Sequence, residues 1–89
     1  MLYPYITFPD GTEVLHSQIV YKDDCPTLQV NFERPKNGGF DSARCELPSY
    51  NWVSRNGYSD AEIADFTDFL HNNAHLFFKF AASGGVCCA

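Results

Sequence analysis

Residues 27–33, Thr27-Leu28-Gln29-Val30-Asn31-Phe32-Glu33, alternate polar and apolar side chains without a break. Leu28, Val30 and Phe32 therefore share one face of an extended strand, and Thr27, Gln29, Asn31 and Glu33 share the other. A strand with one apolar and one polar face belongs to an antiparallel sheet covered on a single side. The residues that follow agree. Pro35-Lys36-Asn37-Gly38-Gly39 turns the chain, and residues 40–47 then offer Ala43, Cys45 and Leu47 to the core, with Ser42, Arg44 and Glu46 opposite. Upstream, Tyr5-Ile6-Thr7-Phe8 is β-prone, Pro9-Asp10-Gly11 is a turn, and residues 12–22 have the β-branched and aromatic content of a long second strand, which Asp23-Asp24-Cys25-Pro26 interrupts. If each turn closes a hairpin, Leu15, Ser17, Ile19 and Tyr21 face the core. His16 then lies outside, across from Glu33, together with Gln18, Asn31, Ser42 and Arg44.

Pro48 ends the strand pattern, and residues 49–57 read as a connector with room for a short helical turn, Trp52 and Val53 capping the edge of the core. Tyr58-Ser59-Asp60-Ala61-Glu62-Ile63 then spells a helix start: Ser59 and Glu62 form a reciprocal capping box, and Tyr58 is placed to staple onto Ile63. Ile63, Phe66, Phe69, Leu70, Phe77 and Phe80 recur at helical spacing. Acidic residues come early and His71, His75 and Lys79 late, as the helix dipole favours. Asn72 and Asn73 predict a local weakening, and Gly84 and Gly85 a stop. The order predicts an α+β fold, a three or four stranded antiparallel meander with one long C-terminal helix packed on one face. Residues 1–83 form the single domain and residues 84–89 a flexible tail.

The 89 residues are 45% hydrophobic and 16% aromatic, too apolar for a disordered chain, and no stretch reaches the roughly 20 apolar residues of a membrane span. Eleven acidic against six basic residues give a net charge of -5, which repels a phosphate backbone. Neither nucleic acid nor membrane is expected as a partner. Met1-Leu2-Tyr3-Pro4-Tyr5 has none of the features of a secretory signal, so a cytoplasmic location is the expectation. The four cysteines, Cys25, Cys45, Cys87 and Cys88, form neither a C-x-x-C unit nor a disulfide framework and are expected to be reduced. Val86 stands where a prenylated cysteine would be needed.

Asn31-Phe32-Glu33-Arg34-Pro35, Gly39-Phe40-Asp41-Ser42-Ala43-Arg44, Leu47-Pro48-Ser49-Tyr50 and Gly57-Tyr58-Ser59-Asp60 resemble short uncharacterised bacterial proteins of unknown function, over about half of the chain. The Gly-aromatic-Ser helix start followed by an apolar helix end is also similar to small strands-then-helix domains found near toxin and antitoxin genes. The resemblance implies a bacterial origin and transfers no functional residue.

Three groups of residues bear on function. His71 and His75 are one helical turn apart, with Asp68 a turn earlier, the spacing of a metal site; pairing of Asp68 with His71 explains the same pattern. On the outer sheet face, His16, Glu33, Ser42 and Arg44 would bring a base, an acid, a hydroxyl and a cation together, either to hold a carboxylate or phosphate or simply as a solvated face with paired charges. At the helix end, Leu76, Phe78 and Phe80 point around more of the helix than a sheet covers, which predicts either an interface or cover from the connector. Arg34 and Asp41 brace the glycine turn. Gly38-Gly39 is not a phosphate loop, and nothing near Cys87 and Cys88 would activate a thiol. No catalytic residue and no cofactor is expected. The preferred expectation is a small acidic module acting through protein contacts, with a homodimer through the Phe-rich helix end as one form of it, and the alternative is a small-ligand or metal-binding protein.

Overall fold

In the computed structural model, which describes residues 2–82, the alternating segment is the heart of a longer strand, β4 (Cys25–Lys36), in an antiparallel sheet. The other elements are β1 (Tyr3–Thr7), β2 (Glu13–His16), β3 (Val20–Lys22), β5 (Gly39–Leu47), β6 (Asn51–Asn56) and the helix α1 (Asp60–Ala82). Five strands run in the order β1-β2-β4-β5-β6, and β3 pairs with the near end of β4. The fold is α+β with six strands, against the three or four expected. The expected tail, residues 84–89, and the glycine stop before it lie outside the described residues.

Each turn has an identifiable cause. Asp23 and Asp24 take φ of 51° and 64°, the two left-handed residues of a type I′ hairpin, and set Lys22 opposite Cys25. Asn37-Gly38 closes the β4–β5 hairpin between Lys36 and Gly39, and that pairing then runs without a slip to Leu28 and Leu47. Gly57 joins β6 to the helix at φ +94°, where a Cβ would strike the Asp41 carboxylate, so glycine is required there twice over.

The expected parity of residues 12–22 fails at Leu15 and His16, although Ile19 packs against the core as expected, and the cause is local. An unbroken strand counted back from Lys22–Cys25 would set Leu15 opposite Phe32, but Val14 stands there, Leu15 faces Asn31 and His16 faces Val30. One extra residue is absorbed between β2 and β3. Ser17 makes this possible: its N–H donates to the Gln29 carbonyl and its Oγ accepts from the Gln29 N–H, both at 2.9 Å. A slip of one residue exchanges the two faces of a strand. Val14 and His16 are consequently buried, while Val20 and Tyr21 are exposed.

The connector proves to be the edge strand β6. Its alternation is broken by Val53, an extra residue between the Arg44–Ser54 and Cys45–Trp52 pairs, which leaves Val53 half exposed where a core-capping role was expected. Trp52 does cap the core, 5.8 Å from the Phe32 ring and donating from Nε1 to Thr67 Oγ1 at 3.2 Å. The other edge is also bulged: Pro4 pairs with Leu15 and Ile6 with Val14, so Tyr5 is extra. Tyr5 turns inward, 4.3 Å from the Phe77 ring.

The helix begins as its sequence dictates. Glu62 N–H donates to Ser59 Oγ at 3.2 Å and Ser59 N–H donates to Glu62 Oε1 at 3.0 Å, the reciprocal capping box. Tyr58 is buried and packs edge-on against Phe66. Phe66, Leu70, Phe77 and Ala81 form the buried stripe, and Phe66 stacks on Phe32 at 4.2 Å with the planes 6° apart. Burial of each such ring stabilises the fold by roughly 1.5–3 kcal/mol. No weakening occurs at the paired asparagines. Asn73 donates to the Phe69 carbonyl at 2.8 Å and accepts from the Tyr5 hydroxyl at 3.1 Å, so its polar groups are used on both sides.

Arg34 ties the helix start to the sheet. It binds Asp41 at 2.6 Å, Glu62 at 2.8 Å and Asp10 at 3.1 Å, with its guanidinium 4.8 Å from the Tyr58 ring centre. The expected brace across the glycine turn is the Arg34–Asp41 pair, reinforced by Lys36. Lys36 and then Arg34 hold the Asp41 carboxyl below its ordinary range; Ser59 and then Arg34 do the same for Glu62, and the Thr12 amide leads for Asp10.

Two predictions follow from the register and the ion cluster. His16→Asp places an unpaired carboxylate in the core and should cost several kcal/mol or unfold the chain, whereas Leu15→Asp on the opposite face should cost only about 1 kcal/mol. Denaturant titration compares them, and the reverse order would restore the unbroken second strand. Carboxyls held below their unfolded values lend stability that is present above about pH 4 and lost as pH falls through their folded values. Arg34→Gln should therefore lower the unfolding midpoint at neutral pH and flatten the acid limb of the stability curve.

Candidate functional site

The helix covers one face of the sheet, and the other face is uncovered. On it, successive cross-strand pairs of β4 and β5 form a polar row: Gln29 with Glu46, Asn31 with Arg44, and Glu33 with Ser42. β2 extends the row on one side, with Leu15 beside Asn31 and Glu13 beside Glu33, and β6 extends it on the other, with Ser54 beside Arg44. A depression of about 220 Å³ lies within this row, lined by Asn31, Glu33, Ser42, Ala43, Arg44 and Ser54. A second, of about 250 Å³, lies further along the same strands at Thr27, Gln29, Glu46 and Lys22, where Lys22 and Glu46 pair at 2.9 Å.

The centre of the first depression is chemically unusual. Asn31 is 8% exposed although it faces the open side, because longer neighbours surround it, and its Oδ1 is buried with no hydrogen-bond partner among the described residues. Leaving a buried acceptor unmatched costs about 1–3 kcal/mol. Arg44 is exposed and makes no ion pair among the described residues, and neither do Glu33 and Glu13. Glu13 and Glu33 stand directly opposite one another, an arrangement that opposes sheet pairing. A nearly buried amide, two hydroxyls, a guanidinium and a carboxylate with no ion-pair partner among the described residues therefore line one depression, with Glu13 on the neighbouring strand.

Of the four residues expected on this face, Glu33, Ser42 and Arg44 come together and His16 does not. His16 is fully buried on the core side, its Nδ1 3.0 Å from the Ser17 carbonyl and its ring 5.9 Å from that of Phe77. Its Nε2 has no partner among the described residues. The one-residue slip of β2 that removed His16 brought in Glu13. Asn31 and Ser54 complete the site. Asn31 was legible as an outward position, and its place at the centre of the sheet, where neighbours on both sides bury it, was the missing signal. Ser54 was hidden because β6 was not recognised as a strand.

Among the described residues, no three His, Cys, Asp or Glu side chains are placed to hold a metal ion, so Asp68, His71 and His75 do not form the triad that their spacing suggested. His71 instead stacks on Tyr50, 3.9 Å between ring centres and 16° between planes, while Asp68 and His75 are exposed. Tyr50 has a φ of 57°. At the helix end Phe77 is fully buried, and Leu76, Phe78 and Phe80 are half-buried, with the Phe80 ring 5.9 Å from that of Tyr5. Cys45 is buried and its thiol is pushed up to about 12, first by burial and then by the Glu46 charge, which leaves it an apolar core residue. Cys25 is an exposed free thiol, and Cys87 and Cys88 lie outside the described residues. No helix among the described residues is long and apolar enough to cross a membrane.

In comparisons with known proteins, the chain matches no family model, no curated protein and no solved structure.

Proposed function

We propose that this protein is a binding module whose recognition surface is the uncovered β4–β5–β6 face, with Asn31 at its centre and Glu33, Ser42, Arg44 and Ser54 around it. The observation that supports this most directly is the unmatched Asn31 Oδ1 beneath a depression lined by groups that have no ion-pair partners of their own. A side chain kept only for folding would be cheaper as an apolar residue at a position this buried. The shallow, open shape suits reversible capture better than reaction, since nothing there excludes water or sets an acid against a base. β1 and β6, the outer strands of the five-strand order, are both interrupted by bulges, which weakens the case for strand addition at those two edges.

Association through the helix end is the second reading. It is favoured by Leu76, Phe78 and Phe80, which keep part of their surface exposed after the sheet and Tyr5 have covered the rest. A partner or a second copy of the chain would bury that remainder.

For the first reading, Asn31→Leu is the decisive variant. Removing an unmatched buried amide in favour of a similar apolar volume should raise stability by about 1 kcal/mol in denaturant unfolding. A loss of stability instead would assign Asn31 to the fold and withdraw the site. For the second, Phe78→Glu should convert a dimer into a folded monomer in sedimentation experiments. Wild-type protein that stays monomeric at high concentration would end that reading, and an unfolded variant would place Phe78 in the core.

A further inference from the structure

We infer that the depression at Asn31 accepts a small zwitterion of the free α-amino acid class, its ammonium group directed to Glu33 and its carboxylate to Arg44 beside the Asn31 amide. This rests on the reading of the open face as the recognition surface and names what that surface recognises. Glu33 and Arg44 are diagonal neighbours across β4 and β5, since Glu33 pairs with Ser42 and Asn31 with Arg44. At such positions the Cβ atoms are about 7–8 Å apart, within the combined reach of a glutamate and an arginine. Yet they form no ion pair with each other, in a protein where Arg34, Lys36, Lys22 and Arg55 all do with nearby acids. Asn31, directly opposite Arg44 and two residues from Glu33 on the same strand, is nearly buried and has no side-chain hydrogen-bond partner among the described residues.

The donors and acceptors define the ligand. The Glu33 carboxylate accepts hydrogen bonds, which an ammonium supplies, while the end of the Asn31 amide that is not fully buried is its NH2 group, a donor suited to a carboxylate. Glu13, directly opposite Glu33, deepens the negative potential at that end of the depression and is relieved by the same cation. At the other end, Arg44 presents the planar fork that suits a carboxylate, with the Ser54 hydroxyl on the neighbouring strand. A purely anionic ligand would meet Glu33 with Glu13 beside it, and a purely cationic one would leave Arg44 unused. The volume of about 220 Å³ exceeds that of a cavity of roughly 150 Å³ that holds benzene. It has room for a molecule of amino acid size.

The test is titration of the isotope-labelled full chain, followed by amide and side-chain NMR. The probes are L-serine, L-alanine and L-glutamine, with N-acetyl-L-alanine lacking the ammonium, L-alanine methyl ester lacking the carboxylate, and N-methylacetamide as a neutral control. The expected result is saturable shifts centred on the Asn31 side-chain amide and on Ser42, Arg44 and Ser54. Affinity should fall about tenfold or more for each blocked derivative, the loss of one charge-assisted contact. Arg44→Gln should remove the difference between L-alanine and its methyl ester, and Glu33→Gln the difference between L-alanine and its N-acetyl derivative. If N-methylacetamide or the blocked derivatives shift the same resonances as strongly as L-alanine, the zwitterion assignment is overturned while the open face stands as a binding surface. If no probe moves these resonances at tens of millimolar, the inference and the surface it rests on both fail.

Discussion

The one-residue offset between β2 and β3 along β4 governs both faces of this protein. Lys22–Cys25 and Val14–Phe32 cannot belong to one regular ladder, and the extra residue taken up around Ser17 lets both exist. Without it, Leu15 would enter the core and the Val14 and His16 side chains would leave. With it, the core gains a ring that packs against Phe77, and the open face gains Glu13 opposite Glu33. The period of a strand is two, so a local change in pairing decides the composition of surfaces well away from it. Ser17 stabilises the irregularity by answering the Gln29 amide with a side-chain oxygen where the ladder would have used a carbonyl.

The helix is anchored on one side of the sheet only, and that leaves the opposite face open. Phe66 on Phe32, Phe77 on Tyr5 and Trp52 on Thr67 fix the helix along the inner face, while the Arg34 cluster fixes its start. Arg34 draws one residue from each of three separate segments, Asp10 from the first turn, Asp41 from β5 and Glu62 from the capping box. Partly exposed ion pairs contribute little each to stability. A three-way arrangement acts more on geometry, because it sets the position of the helix start relative to the hairpin that carries the site.

What was legible in the sequence was whatever depended on local pattern. The faces of β4 and β5 followed from unbroken alternation, and the helix start from Ser59 and Glu62, because a capping box is completed within four residues. What was not legible depended on partners distant in sequence. The parity of β2 turned on a slip around Ser17, and β6 was obscured by the extra Val53, which breaks alternation where a bulge permits it. The helical histidine spacing was real, but Tyr50 at positive φ claimed His71 by stacking. Glu33, Ser42 and Arg44 were correctly placed on one face since both their strands were regular. Asn31, at the centre of that face, became notable only once its burial was known.

That burial carries an energetic argument. A domain of this length is stable by roughly 4–13 kcal/mol, from about 0.05–0.15 kcal/mol per residue. An unmatched acceptor costing about 1–3 kcal/mol is a substantial part of that margin. The like-charge pair Glu13–Glu33 adds to the cost in the same few square nanometres. Other polar side chains are matched: Asn73 uses both ends of its amide, and Ser17, Thr67 and Ser59 all bond to backbone. Among the described residues a second buried atom is unmatched, His16 Nε2, and it lies on the core side opposite Val30. What sets Asn31 apart is therefore its place, on the face that the helix leaves uncovered and opposite an arginine that makes no ion pair among the described residues.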